Sequence, residues 1–180
     1  MTNDRDGLIQ RLHQHRLWAT SIGRNGAQLS AVNLDLSGLD LSGQDLNCIE
    51  VPGGQFKETT LAQADLSGSN LASAELAGVD LTGAQLVKAN LDYANLSRAR
   101  FAGANLRRAS LIRAKLDGAT LDGADLRGAD LSDADLTGAS LVGAALEGAL
   151  LNGTILNGRL VASIGDHILP SLVPRGPDWG

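Results

Sequence analysis

Residues 89–140 read ANLDYANLSRARFAGANLRRASLIRAKLDGATLDGADLRGADLSDADLTGAS, and this stretch decides the fold. The same five-residue period extends from position 36 to position 156, with leucine or a close substitute at every fifth residue. Among these 25 positions only Val51, Phe56 and Phe101 are not leucine. On an α-helix a step of five turns the side chain by roughly 140°, and on a flat strand it alternates faces. The period therefore predicts a chain that bends once in each repeat.

Each five-residue unit has its own internal pattern. Alanine lies two residues before the leucine, without interruption from Ala84 to Ala149, and a polar residue lies between them as far as Ser140. Glycine is the commonest residue two positions after the leucine, as at Gly118 and Gly123. The alternation of inward and outward residues is typical of a short strand, and glycine suits the corner that follows. The pattern predicts short strands joined by corners, with leucine and alanine inside.

Short strands that turn in one sense form a stacked coil. Four units would close a coil of about 20 residues, and about six coils would give a rod on the order of 30 Å long. A three-sided coil of about 15 residues would share the same beat, so the period alone does not choose between them. We expect the repeat region to occupy residues 31–160 of a single domain.

The sequence resembles the pentapeptide-repeat family, whose consensus is A(D/N)LxX. The resemblance covers about two thirds of the chain and is carried by dozens of residues in phase, including all of residues 89–140. It implies an all-β solenoid, a right-handed four-sided parallel β-helix. Some members of this family imitate duplex DNA and bind DNA gyrase, which protects that enzyme from quinolones or peptide toxins.

Both ends of such a rod need covering, because the terminal coils expose an apolar interior and strand edges. Residues 1–30 predict a helical cap and lead-in, with Leu8, Leu12, His15, Ala19 and Ile22 at helical spacing. An alternative is a partner-binding amphipathic helix.

Near the other end, outward positions become aliphatic at Val142, Leu150 and Ile155. We expect these to form a patch covered by a C-terminal cap in residues 161–180, by a second copy, or by both; LVPRG at 172–176 resembles a thrombin-cleavage linker.

Composition argues against an enzyme. The expected coil body between Val32 and Gly158 contains no histidine to activate a nucleophile, and its acidic pairs would lie on a solvated surface. We therefore expect no catalytic residue, no cofactor and no metal site, even at His13 and His15. A single cysteine, Cys48, excludes an internal disulfide framework. With no apolar membrane span or signal-peptide core in the sequence, we expect a cytoplasmic protein without membrane contact.

Charge varies along the predicted rod. Eight acidic residues and one lysine lie between Asn33 and Asp80, and seven acidic residues and one arginine lie between Leu116 and Leu150. The segment from Lys88 to Lys115 carries seven cationic residues against Asp92 alone. A 20-residue coil would place three of them, Lys88, Arg107 and Arg108, on one face. Arg127, one coil further on, would lie on the same face. These side chains are either solvated or bind an anionic partner, and Arg127 has the alternative of pairing with Glu147.

Two functions from different classes fit the sequence. The first is a rigid, non-catalytic rod that binds another protein through its surface. The second, implied by the resemblance, is a DNA mimic that binds gyrase through outward aspartates such as Asp65, Asp80, Asp125 and Asp130. The basic segment departs from DNA mimicry. The sparse aromatic residues and the net charge of −5 argue against direct binding of nucleic acid.

Overall fold

A computed structural model describes residues 4–155 of the 180-residue chain, with side chains from residue 5 onward. The described chain begins with one helix, α1, at Asp4–Thr20. It continues as a stack of 22 parallel, single-residue β-bridges, from Ser30↔Glu50 to Asp135↔Ile155. The predicted solenoid is confirmed. Within the described residues, no helix is long and apolar enough to cross a membrane.

The bridges fix how many repeats make one coil. Every bridge joins residues 20 apart, so that one coil contains four pentapeptides, and residues 30–155 make a little over six coils. Asp65 shows the bonding: its amide donates to the Gln44 carbonyl at 2.9 Å, and the next amide, Leu66, donates to Gln85 at 2.7 Å. Each unit is thus bonded to the coil before it and to the coil after it. We call residues that lie 20 apart, one above another, a row.

Corners are formed by backbone in the left-handed region. The residue two positions after each buried leucine, or after the valine or phenylalanine that replaces it, has positive φ. This holds whether that residue is glycine, such as Gly78 at 70°, or not, such as Arg98 at 58°. A hydrogen bond between residues three apart in the sequence closes the corner, as from the Ala64 amide to the Leu61 carbonyl at 3.1 Å. Left-handed backbone disfavours side chains with a Cβ, which explains why the sequence pattern is rich in glycine there.

The interior is filled by the leucine and alanine positions, which are almost all buried. Several early units hold other residues at the alanine position, and in one of them Gly54 lies two residues before Phe56. A Cβ placed on Gly54 would lie 2.9 Å from Cε2 of Phe56, so the glycine makes room for the ring. The same region carries Pro52, yet its carbonyl still accepts a 2.8 Å hydrogen bond from Asn33. The register therefore continues unbroken through the irregular segment.

Helix α1 packs on the first coils through Leu8 and Leu12. His15 is fully buried, stacks on Trp18 and accepts a 3.0 Å hydrogen bond at Nδ1 from the Leu29 amide. The expectation that Ile22 belongs to the apolar face was wrong. The helix ends at Thr20, and Ile22 has a φ of 55° and is 91% exposed.

The C-terminal coils expose the aliphatic residues that the sequence analysis singled out. Val142, Leu150 and Ile155 are 58%, 50% and 53% exposed. They belong to three different rows, because their numbers differ by values other than 20. The predicted C-terminal cap or tail at 161–180, including 172–176, lies outside the described residues.

Candidate interaction surface

Outward polar residues are tied to their own corners. Asp65 Oδ1 accepts the Ser67 amide at 2.9 Å, and Asp130 Oδ1 accepts the Ser132 amide at 2.9 Å. Asn90 accepts the Asp92 amide at 3.0 Å in the same way. These side-chain to backbone bonds stabilise the turn, which gives aspartate and asparagine a structural role at this position.

The four candidate acidic residues do not form one surface. Asp65 and Asp125 share a row, whereas Asp80 and Asp130 lie in two other rows. Asp80 accepts a 2.5 Å hydrogen bond from Arg100, in the next coil of its own row. Partial burial works in the opposite direction, but hydrogen bonds from Thr82 and Arg100 lower the pKa of the Asp80 carboxyl. The charge of Asp80 is therefore locally neutralised.

Asp125 is neutralised more completely. Arg127 binds both carboxylate oxygens, with Nε–Oδ1 at 2.8 Å and Nη2–Oδ2 at 2.5 Å, and Arg107 lies 3.9 Å from Oδ2. The hydrogen bond from Arg127 lowers the pKa of Asp125. Arg127 thus pairs within its own repeat, and no ion pair with Glu147 forms among residues 5–155. Two of the four proposed mimic carboxylates are engaged by arginine.

The basic candidates stack where the 20-residue coil predicted. The Lys88 amide donates to the Arg107 carbonyl at 3.0 Å, and the Arg108 amide donates to the Arg127 carbonyl at 3.1 Å. All four side chains are exposed. With Asp125 holding Arg127 and lying near Arg107, only Lys88 and Arg108 of the four lack a salt bridge within the described part of the chain.

A second row beside this corner was not predicted from the sequence. Tyr93, Arg113 and Asp133 lie 20 residues apart and are all exposed. Arg113 donates to Asp133 at 3.3 Å and to the Tyr93 hydroxyl at 3.5 Å, and its guanidinium lies 5.9 Å from the tyrosine ring centre. The hydrogen bond to Asp133 raises the pKa of Arg113. Applying the 20-residue register to the sequence would have found this row.

Cationic and aromatic side chains in the basic segment occupy strained corners. Of the six corner positions from 88 to 113, five carry a long side chain at positive φ: Lys88, Tyr93, Arg98, Arg108 and Arg113. Of the other 18 corner positions between 38 and 153, only five are not glycine. Backbone strain that a glycine would remove tends to occur at functional positions. This concentration distinguishes the basic segment from the rest of the rod.

Two clefts lie beside α1. One, of about 370 Å³, is lined by Arg5, Leu8 and Leu34 among others, and a second, of about 200 Å³, includes His13 and Asp45. Within residues 5–155, no group of three or more histidine, cysteine or acidic side chains could hold a metal ion. The features that distinguish this molecule therefore lie on its outer surface.

Comparison with known proteins agrees with this geometry. The family model "Pentapeptide repeats" matches residues 55–92, 94–133 and 129–158 in eight copies. Two structures of trypsin-treated QnrB1, a plasmid-mediated fluoroquinolone resistance protein, are both 25% identical, with TM-scores of 0.66 and 0.65. They cover 69% and 68% of this chain, which in turn spans 64% and 62% of the QnrB1 chains.

Another solved structure, HetL from the cyanobacterium Nostoc, is 24% identical over 79% of this chain and 93% of its own, with a TM-score of 0.37. No protein of curated function matches the sequence significantly. The matched segments cover more than half of the 180 residues and coincide with the stacked bridges. The chain belongs to the pentapeptide-repeat family.

Proposed function

We propose that this protein is a non-catalytic rod, right-handed and four-sided, that acts by binding another protein through its outer surface. The bridge register of 20 residues supports four sides. Because leucine and alanine fill the interior, recognition would have to use outward and corner side chains. The observation that carries the proposal is the row of Lys88 and Arg108, two exposed cations at strained corners with no salt bridge in the described structure.

Site-specific crosslinking in the cell of origin tests this proposal. A photoreactive residue replaces Lys88 in the full chain, and a matched variant carries it at Gln63, another exposed corner with positive φ. We expect a discrete protein adduct from position 88 and a weaker or absent adduct from position 63. Equal adducts from both positions, or adducts with nucleic acid alone, would contradict a protein-binding basic corner.

A second candidate function is binding of DNA gyrase as a DNA mimic. The similarity to QnrB1, a fluoroquinolone resistance protein, favours it. The structure weakens the case for two of the four aspartates assigned to this function, because Asp80 forms a salt bridge with Arg100 and Asp125 forms one with Arg127. The remaining candidates, Asp65 and Asp130, have no salt bridge among the described residues.

A gyrase supercoiling assay, with and without a quinolone, tests this second function. Drug protection or inhibition at micromolar protein that is lost on Asp65→Asn with Asp130→Asn would support the mimic. Wild-type protein without effect at tens of micromolar would rule it out.

We also propose a cytoplasmic protein that forms a homodimer through its C-terminal end. The exposed Val142, Leu150 and Ile155 support an apolar contact there. Sedimentation of the full chain and of Leu150→Glu tests this. A dimer that dissociates in the variant is expected, whereas a wild-type monomer at high concentration would exclude it.

A further inference from the structure

The Asn90 row has the longest uncharged run of bridge residues among the four outward rows. Between its ends at Ser30 and Leu150 it passes through Glu50, Asn70, Asn90, Ser110 and Asp130, so that three uncharged coils lie between two acidic residues. The row of Gln85 and Asn105 has two such coils between Asp65 and Asp125. The floor of this stretch consists of short, half-buried side chains. Within it, Asn90 and Ser110 also contact Asp92, whose Oδ1 accepts the Ser110 hydroxyl. The floor is therefore polar and carries one charged group, the Asp92 carboxylate, which accepts the Ser110 hydroxyl and the Ile112 amide.

Long side chains border this floor on both sides. Two residues before the floor residues lie Lys88 and Arg108, and three residues after them lie Tyr93 and Arg113. Four residues separate the two borders, three of them extended and the fourth in the turn, which places the borders on the order of 10 Å apart. We call this surface, the neutral floor with its two borders, the Asn90 trough.

The trough matches the dimensions of one α-helix. A helix with side chains is about 10–12 Å wide, which is close to the separation of the borders. Side chains three or four residues apart on a helix are about 5–6 Å apart, and successive coils of the rod are about 4.8 Å apart. Carboxylates on one flank of a helix would therefore meet Lys88 and Arg108, and a carboxylate on the other flank would share Arg113 with Asp133.

One of the two borders is also held in position by side-chain contacts. Arg113 is fixed between Tyr93 and Asp133, and the tyrosine ring lies under its guanidinium. Both borders use corners at which long side chains replace the usual glycine. Ordered cations lose less conformational freedom on binding than free ones do. Since Tyr93 is the single aromatic ring of the trough, successive bases would find no series of rings to stack on, and these features favour a protein ligand over single-stranded nucleic acid.

We propose that the Asn90 trough binds one acidic α-helix of a partner protein, laid along the axis of the rod. The inference rests on the proposed protein-binding function and names the chemistry of the partner. Glu50 and Asp130 repel an acidic helix at either end and so confine it to the neutral stretch.

The probe, called the striped peptide, is a fluorescein-labelled, alanine-based peptide of about 20 residues. Its glutamates lie only in the central turns, on two stripes that flank a stripe of alanine. A control peptide has the same composition with the glutamates in scrambled order along the chain. Fluorescence anisotropy with the full chain at low salt should show binding to the striped peptide, and weaker binding to the control. Because the contacts are ionic, added salt should weaken binding further.

Variants separate the trough from charge in general. Lys88→Gly with Arg108→Gly, and Tyr93→Gly with Arg113→Gly, should each weaken peptide binding by about tenfold or more. Arg98→Gly is the matched control, because it removes an exposed arginine at the same kind of corner, outside the trough. Circular dichroism checks that each variant is folded, as expected when glycine replaces a residue at positive φ.

Several results would overturn the inference. These are an equal loss of binding in Arg98→Gly, equal binding of the two peptides, tighter binding of duplex DNA through the same residues, or no binding of the striped peptide. If crosslinking at position 88 still captures a protein while the striped peptide fails to bind, the interaction function stands and the acidic helix is wrong. If both fail, the function itself is wrong.

Discussion

Exchanging Gly54 and Phe56 for the common alanine and leucine tests whether the interior is packed as tightly as the structure indicates. Gly54→Ala alone should destabilise the rod, because the new Cβ would lie 2.9 Å from the Phe56 ring. Overpacking of this kind costs about 1–3 kcal/mol. Gly54 is not at positive φ, so its φ does not disfavour alanine, but the new Cβ would also lie 2.9 Å from the Val51 carbonyl oxygen, which would have to shift in both variants that carry the alanine.

Phe56→Leu alone removes part of a fully buried ring and should cost about 1–2 kcal/mol through lost burial and a partial cavity. In the double variant the leucine leaves space for the new methyl group. The two changes should therefore couple favourably, with the double variant more stable than the sum of the single effects predicts by about 1–2 kcal/mol.

Denaturant unfolding followed by circular dichroism measures all four proteins, and equal m-values are required before the free energies are compared. Phe101→Leu is the control, since Phe101 already has Ala99 two residues before it. If the two substitutions were additive within about 0.5 kcal/mol, the glycine would not be making room for the ring, and the packing argument would fail.

Three further predictions follow from single contacts. Gly26→Ala should lower the Tm strongly, because φ is +77° and the new Cβ would overlap the Gln14 carbonyl; differential scanning calorimetry measures it. Burial lowers the pKa of His15, and protonation at Nδ1 would displace the Leu29 amide. The stability of the protein should therefore fall as the pH drops below about 6.5, which a series of Tm measurements against pH would show. The His15→Gln variant should lack this fall in Tm. The hydrogen bond from Arg127 lowers the pKa of Asp125, so the contribution of this ion pair to stability should be present at neutral pH and lost below about pH 4. NMR titration of the Asp125 carboxyl, with and without Arg127→Ala, checks the direction of the pKa change.

Much of the fold could be predicted because one physical constraint repeats. A narrow interior accepts alanine and leucine in alternation, and the beat from position 36 onward records that constraint directly. The choice between three and four units per coil was not in the period, because a three-sided and a four-sided coil both repeat every five residues. The bridges at a spacing of 20 residues provide that information.

The candidate surface was predictable in position but not in pairing. Stacking of Lys88 under Arg108 follows from the coil alone. Whether Arg127 turns to Asp125 or to Glu147 depends on side-chain rotamers, which leave no periodic signal in the sequence. Ile22 shows the same limit at the cap, where a helical spacing continued beyond the residue at which the helix ends.

The spacing of 20 residues has a consequence for how this protein tolerates changes in length. An inserted pentapeptide would fit the interior, yet it would turn everything that follows by a quarter of a revolution. Placed between Lys88 and Arg108, it would leave the rod stable while separating the two cations onto neighbouring faces. An insertion of four pentapeptides would keep the faces aligned and only lengthen the rod by about 4.8 Å. Surface patterns of this chain can therefore be rearranged by rotation, without the redesign of a single buried residue.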